Sequence, residues 1–423
     1  MDIRPFRGWR YAAEGGQVGS LIAPPYDVVS QADREALLGR DPRNIVAVDL
    51  PHWPPAQAGP QSCYARAAET LQRWQADGTL VREPHECLYA YEQGFAHAGK
   101  SYRRRGLIAA VRLQPLGQGI WPHEKTFPGP KADRLKLRQA TAMQLSPILG
   151  FYQDAGAAEM VFDALRQAPP DAAGELNGVT ERLWTVSDAE LIEEVRRRLA
   201  GADLFIADGH HRYTTALTYR DALGPPEPDH PANFVMFVLA GMDDPGLIVL
   251  PTHRLIAGLK GFDLAAFVQR AGEVMEFHPV ELTAQVAADT DAYLRGQGPH
   301  AMAFAAGGTA YVGRLRDPSV MEQVAPEKLP AWRELDVSIL HELLLKRYLQ
   351  PEGTAEPRIR YTPDGAEALA AVRAGQADLA VLLQGTPLAA VREIALAGAV
   401  MPHKSTYFYP KVATGLVLYP LER

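Results

Sequence analysis

The sequence predicts a mixed α/β fold, and three observations carry that expectation. Leu204-Phe205-Ile206-Ala207 is a short, wholly apolar run ending in the turn signal Asp208-Gly209. A segment of helix-forming composition follows it, Tyr213 to Leu223, with Ala216, Leu217 and Leu223 at core spacing. Phe234 to Leu239 and Leu247 to Leu250 are fully apolar and read as buried strands. Tyr64 to Trp74 places Ala67, Ala68, Leu71 and Trp74 on one helical face. Strands and helices therefore alternate along one chain.

Length and composition narrow the class. The 423 residues suit two or three domains and a sizeable core, and 47% hydrophobic with 22% charged residues is an ordinary globular balance. A net charge of −7 argues against a protein that coats nucleic acid. Met1-Asp2-Ile3-Arg4-Pro5-Phe6 lacks the pattern of a signal peptide, and no apolar run has the length of a membrane span. A cytoplasmic protein with no membrane partner is the expectation. Cys63 and Cys87, the only cysteines, have neither disulfide-scaffold nor zinc spacing.

In chain order, Pro24-Pro25-Tyr26-Asp27 is a proline-stiffened loop. It reads either as a structural turn or as a rigid presentation of the Tyr26 hydroxyl and the Asp27 carboxylate. Ser30 is placed to cap a helix beginning at Gln31. Leu88 to Gln93 and Leu107 to Val111 read as strands flanking a turn at His97 to Lys100, with Arg103-Arg104-Arg105 as a solvated edge. From about 111 the chain turns to chemistry. Trp121 to Pro130 is rich in Pro and Gly and must be an exposed loop entering a helix. Between His123 and Arg138 the cations Lys125, Lys131, Arg134, Lys136 and Arg138 outnumber Glu124 and Asp133, a local anion site in an acidic chain. Glu124 among these cations is expected to stay ionised, as a base requires. The same charges also read as a solvated helix face.

The corner Asp208-Gly209-His210-His211-Arg212 follows the buried strand. There the first helical amides lack internal partners and the helix dipole favours negative charge, so a phosphate fits. Alternatively Asp208 caps the helix, Gly209 supplies a positive φ, and the basic residues are solvated. Downstream, Pro225 to Pro231 is a loop. Residues 260 to 385 alternate helices and strands without distinct chemistry, and His341 reads as surface. Met401 to Lys411 is dense in hydroxyls, aromatics and lysines. There Lys404, Ser405 and Thr406 suit a substrate pocket or anion contact, or else a simple turn. No phosphate-binding loop of the P-loop type, dinucleotide fingerprint, serine-hydrolase elbow or protein-kinase signature occurs.

Four separated motifs, Pro24-Pro25-Tyr26-Asp27-Val28, His123-Glu124-Lys125-Thr126, Asp208-Gly209-His210-His211-Arg212-Tyr213 and Met401 to Lys411, resemble the bacterial family called domain of unknown function 1015 along essentially the whole chain. The Asp208–Arg212 corner, with His123-Glu124 upstream and Ser146-Pro147-Ile148 between, is similar to the ParB/sulfiredoxin superfamily, and within it to the free-serine kinases. That resemblance implies a ParB/sulfiredoxin-like core over 111–258, an N-terminal α/β part over 1–110 and a C-terminal α/β domain over 259–423. It implies ATP or ADP as cofactor with magnesium, and L-serine or a hydroxy acid as acceptor. Glu124, with His123 beside it, would be catalytic. Gly209, His210, His211 and Arg212 would hold the nucleotide phosphates, with Asp208 acting through magnesium or by ordering the loop, and the basic excess of 123–138 adds Lys131 and Arg134 to the phosphate-binding set. Sulfiredoxins carry a cysteine in this loop and ParB proteins a basic DNA-binding segment; this chain has neither. Two alternatives stand beside the kinase: a non-catalytic nucleotide-binding switch, and a metal-dependent phosphoesterase using His210 and His211.

Overall fold

The computed structural model describes residues 1–153, 156–224, 226–349 and 356–422; Pro225 of the expected loop lies outside them. The fold is mixed α/β, as expected, and it divides into two units. One comprises Met1–Leu247 with Pro410–Arg423, the other Ile248–Tyr409.

In the first unit a mixed sheet runs in the order Ile120–Trp121, Leu204–Asp208, Ile148–Tyr152, Phe234–Gly241, Lys100–Arg112, Leu88–His97, Val179–Val186, Ala172–Leu176, with Ile3–Arg4 pairing Lys100–Arg112. Two of its pairings are parallel, Leu204–Asp208 with Ile120–Trp121 and Phe234–Gly241 with Ile148–Tyr152. The expected strands at 88–93 and 107–111 form one long hairpin, closed by Ala98 and Gly99 with φ of 49° and 74°. Two successive positive φ values match the twist of the flanking strands, which is why a glycine occupies the second position. The strand that begins at Lys100 runs through residue 110, so the boundary expected there falls inside a strand that pairs on both sides. Along one face of this sheet Leu88, Ala90, Leu107, Ala109, Ile148, Leu204, Ile206, Val235 and Phe237 pack with Val161, Val195, Tyr213 and Ala216 from three helices, Ala157–Ala164, Ala189–Leu199 and His210–Ala222. Period-2 burial on the strands and period-3.6 burial on the helices meet in one core.

Ser30 caps the helix Gln31–Arg40 in a full capping box with Asp33. The helix Gln61–Ala76 buries Cys63, Tyr64, Ala67, Leu71 and Trp74. Cys63 and Cys87 are free, buried thiols.

In the second unit an antiparallel sheet runs Met275–Pro279, Thr309–Leu315, Ala301–Ala306, Leu379–Leu382, His253–Ala257, Arg358–Thr362. Its core joins Leu255, Leu294, Ala303, Val312, Leu369 and Leu382. His341 is not a surface residue. It is half-buried on Ile339–Leu349, where its Nε2 accepts from Arg254 Nε at 3.4 Å, because the fully buried Arg254 needs acceptors. No described helix is long and apolar enough to cross a membrane.

Candidate functional site at the Asp208–Arg212 corner

The strand Leu204–Asp208 ends in an irregularity. Phe205 and Ile206 pair with Phe151 and Gly150, but Asp208 pairs with Leu149, so Ala207 is an extra residue and the strand bends there. Gly209 follows at φ 101°, ψ 28°, and the helix His210–Ala222 begins at once. Only glycine suits this turn. The φ is left-handed, and a Cβ would lie 2.9 Å from Arg212 Nε, which folds back over it. Gly209 has no side chain with which to cap the helix, and the dipole of the helix start favours an anion there.

Asp208 is the electrostatic centre of the corner. Arg212 Nη2 donates to its Oδ2 at 2.5 Å, and the Lys411 ammonium pairs with its Oδ1. Burial raises the pKa of this carboxyl, yet Lys411 and then Arg212 outweigh burial and hold it well below the usual carboxylate range. Arg212 also donates through Nη1 to Ser146 Oγ at 2.8 Å and to the Pro147 carbonyl. A buried guanidinium thereby ties the helix start to the Ser146-Pro147 turn.

The two histidines do something the sequence did not foretell. His210 Nε2 accepts the backbone amide of His123 at 3.2 Å, and His211 Nε2 accepts that of Phe127 at 2.9 Å. Together they clamp both ends of the segment holding the half-buried Glu124. The rings of His123 and His210 stand edge to face at 4.7 Å. Burial drives the His123 imidazole down to about 4 and His210 well below its ordinary value, so both are neutral near pH 7. A neutral His210 accepting at Nε2 carries its proton on Nδ1. Sequence reasoning brought His123, Glu124, Asp208, Gly209, His210, His211 and Arg212 together, and the structure does bring them together. His210 enters as an uncharged clamp and His211 as a second hydrogen-bond acceptor.

Beyond the loop, the helix Pro128–Thr141 carries Lys131, Arg134 and Arg138. Lys131 is half-buried near its start. Arg134 is buried and internally paired: Nε donates to Asp133 Oδ2 at 2.8 Å, Nη1 to the Asp49 carbonyl at 2.7 Å and to its carboxylate at 3.2 Å. Its guanidinium sits 4.1 Å from the centre of the buried Tyr26 ring, while Asp27 is exposed. Lys404, Ser405 and Thr406 belong to the second unit. Lys404 is exposed with φ 57°, and Ser405 Oγ donates to the Pro402 carbonyl at 2.6 Å, which is the geometry of a turn. Sequence reasoning missed Lys411 and the acceptor role of Ser146. The signal for Lys411 was its own motif, of which it is the last residue.

The sequence profile described as protein of unknown function (DUF1015) matches residues 3–338. The chain belongs to the DUF1015 family. No curated protein matches this DUF1015 chain. Among solved structures, a free serine kinase variant in complex with ADP is similar over 72% of this chain and 95% of that chain, at 14% identity and a TM-score of 0.34. A conserved hypothetical protein from Pyrococcus furiosus covers 72% and 98%, at 14% and 0.33. SbnI with a C-terminal truncation, from Staphylococcus aureus, covers 74% and 87%, at 12% and 0.36.

Proposed function

We propose that this DUF1015 protein is a nucleotide-dependent phosphotransferase whose acceptor is a small alcohol, L-serine or a hydroxy acid. One observation carries the reading: His210 and His211, on a helix start whose dipole favours phosphate, accept the two amides that bracket Glu124. Phosphate-binding and proton-accepting groups are thereby parts of one rigid corner.

ATP or ADP supplies the phosphoryl group when bound. The helix start after Gly209 and the cations Lys411 and Arg212 attract and orient its phosphates. Glu124 takes the proton of the acceptor hydroxyl. The hydroxyl oxygen forms its bond to the terminal phosphorus as the bridging P–O bond breaks, and the leaving phosphate keeps the electron pair. Asp208 orders the corner between its two cations. It does not fit as a magnesium ligand, since both of its oxygens are engaged by cations. Among the described residues no group of three or more His, Cys, Asp or Glu lies where it would hold a metal, so the phosphoesterase reading gains no support.

The test is incubation with ATP or ADP and a panel of L-serine and hydroxy acids, followed by phosphorus NMR. A new phosphomonoester supports the reading. Nucleotide that binds in a titration yet stays intact with every acceptor favours the non-catalytic switch.

A further inference from the structure

Three arginines line one pocket in the first unit, and two of them have partners among the described residues. Arg134 pairs with Asp49 and Asp133, and Arg212 with Asp208. Arg138, one turn beyond Arg134 on the same helix, is 6% exposed. Among the described residues its guanidinium has no hydrogen-bond or ion-pair partner. A buried cation without a counter-ion is costly, and the cost vanishes when an anion arrives.

The surroundings suit such an anion. The cavity has a volume of about 40 Å³, room for a single small oxyanion group, and Arg138, Arg134, Arg212, Tyr26, Ser146 and Thr215 line it. Among the described residues Thr215 Oγ1, fully buried, has no hydrogen-bond partner, and the residue is only 2% exposed. Ser146 Oγ accepts from Arg212 and keeps its own proton to donate. Asp49 and Asp133 hold Arg134 and Asp208 holds Arg212, so among the described residues Arg138 is the lining cation with no carboxylate against it. Burial lowers Arg138 to about 10, and it stays protonated at neutral pH.

We infer that this pocket binds an oxyanion, the carboxylate or phosphate of a small metabolite, with Arg138 as counter-ion and Thr215 as hydroxyl donor. Arg212 lines the pocket and also holds Asp208, so the bound anion lies next to the corner. If the phosphotransferase reading stands, on which this last step rests, the anion is the acid group of the acceptor.

The experiment measures the melting temperature and calorimetric affinity of the full chain at fixed ionic strength. The probes are inorganic phosphate, L-serine and glycerate, with chloride as reference. The wild type should melt higher with at least one oxyanion than with chloride. Arg138→Met should melt higher than the wild type in chloride, because a partnerless buried charge is gone, and its oxyanion affinity should fall about tenfold or more. Thr215→Val, nearly isosteric, should weaken the same oxyanion. A response to carboxylates alone assigns the acid group of the acceptor; a response to phosphate alone assigns a phosphate. No oxyanion response in the wild type, or an undiminished one in Arg138→Met, overturns the inference. Nucleotide titration of the wild type in the same buffer keeps the two readings apart. Oxyanion bound without any nucleotide retains the pocket while the phosphotransferase reading falls.

Discussion

Lys411 and Asp208 stand 203 residues apart in sequence, and their side chains form an ion pair in the first unit. The pair joins the C-terminal tail Pro410–Arg423 to the end of a central strand. Removing one member of such a pair leaves the other charge buried. Asp208 keeps Arg212 as its partner, so Lys411→Met should cost about 1–3 kcal/mol of stability and weaken nucleotide binding together. Urea unfolding and a nucleotide titration on one preparation check both. A variant as stable as the wild type would show that the pair does not hold the corner.

Acid should loosen the corner through its histidines. His123 titrates near 6.5 when unfolded but near 4 when folded, so the unfolded chain binds the proton first. The stability tied to neutral His123 is fully present above pH 6.5 and is lost as pH falls toward 4, by roughly 3 kcal/mol across the window. His210 is shifted in the same direction, also by burial, and adds to the slope. Unfolding free energies at pH 7 and pH 5 should differ by about 2 kcal/mol or more, and His123→Asn should flatten the difference. An equal slope in that variant would place the effect elsewhere.

Gly209→Ala is expected to be disproportionately damaging for the addition of a single methyl. The φ of 101° is left-handed, and the new Cβ would meet Arg212 at 2.9 Å. A strain of about 1–3 kcal/mol follows, with displacement of Arg212 from Ser146. Circular dichroism melting against Gly224→Ala, another left-handed glycine with open space around it, separates collision from φ alone. Equal losses in the two variants would mean that the Arg212 contact is immaterial.

The near neighbours were legible because their signals are local. The strand Leu204–Asp208, the left-handed Gly209 and the helix after it are written in consecutive residues, and the period of the apolar positions reports each of them. Tertiary partners were not legible. Nothing near Lys411 names Asp208, and composition alone made Lys404 and Ser405 as attractive, although Ser405 turns its hydroxyl to Pro402. The histidines looked like phosphate cations because sequence does not report burial. His210, buried and neutral, accepts the His123 amide, and the half-buried His211 accepts that of Phe127. Arg134 and Arg138 looked alike for the same reason, and only packing distinguishes the one held by Asp49 and Asp133 from the one with no described partner.

His211→Ala tests the clamp by itself. It deletes the acceptor of the Phe127 amide and leaves Asp208, Lys411 and Arg212 in place. Turnover should fall by about tenfold or more as the Glu124 segment loosens, with nucleotide affinity within about threefold of wild type. Steady-state kinetics beside a nucleotide titration would show it. A change in affinity with unchanged turnover would instead make His211 a phosphate ligand.

The central claim is that Glu124, held by His210 and His211, takes the proton of the acceptor. Its most direct test is single-turnover phosphoryl transfer by Glu124→Gln, with nucleotide affinity measured in parallel. The account predicts loss of at least a hundredfold in the transfer rate with nucleotide still bound. Transfer at the wild-type rate in Glu124→Gln would contradict it.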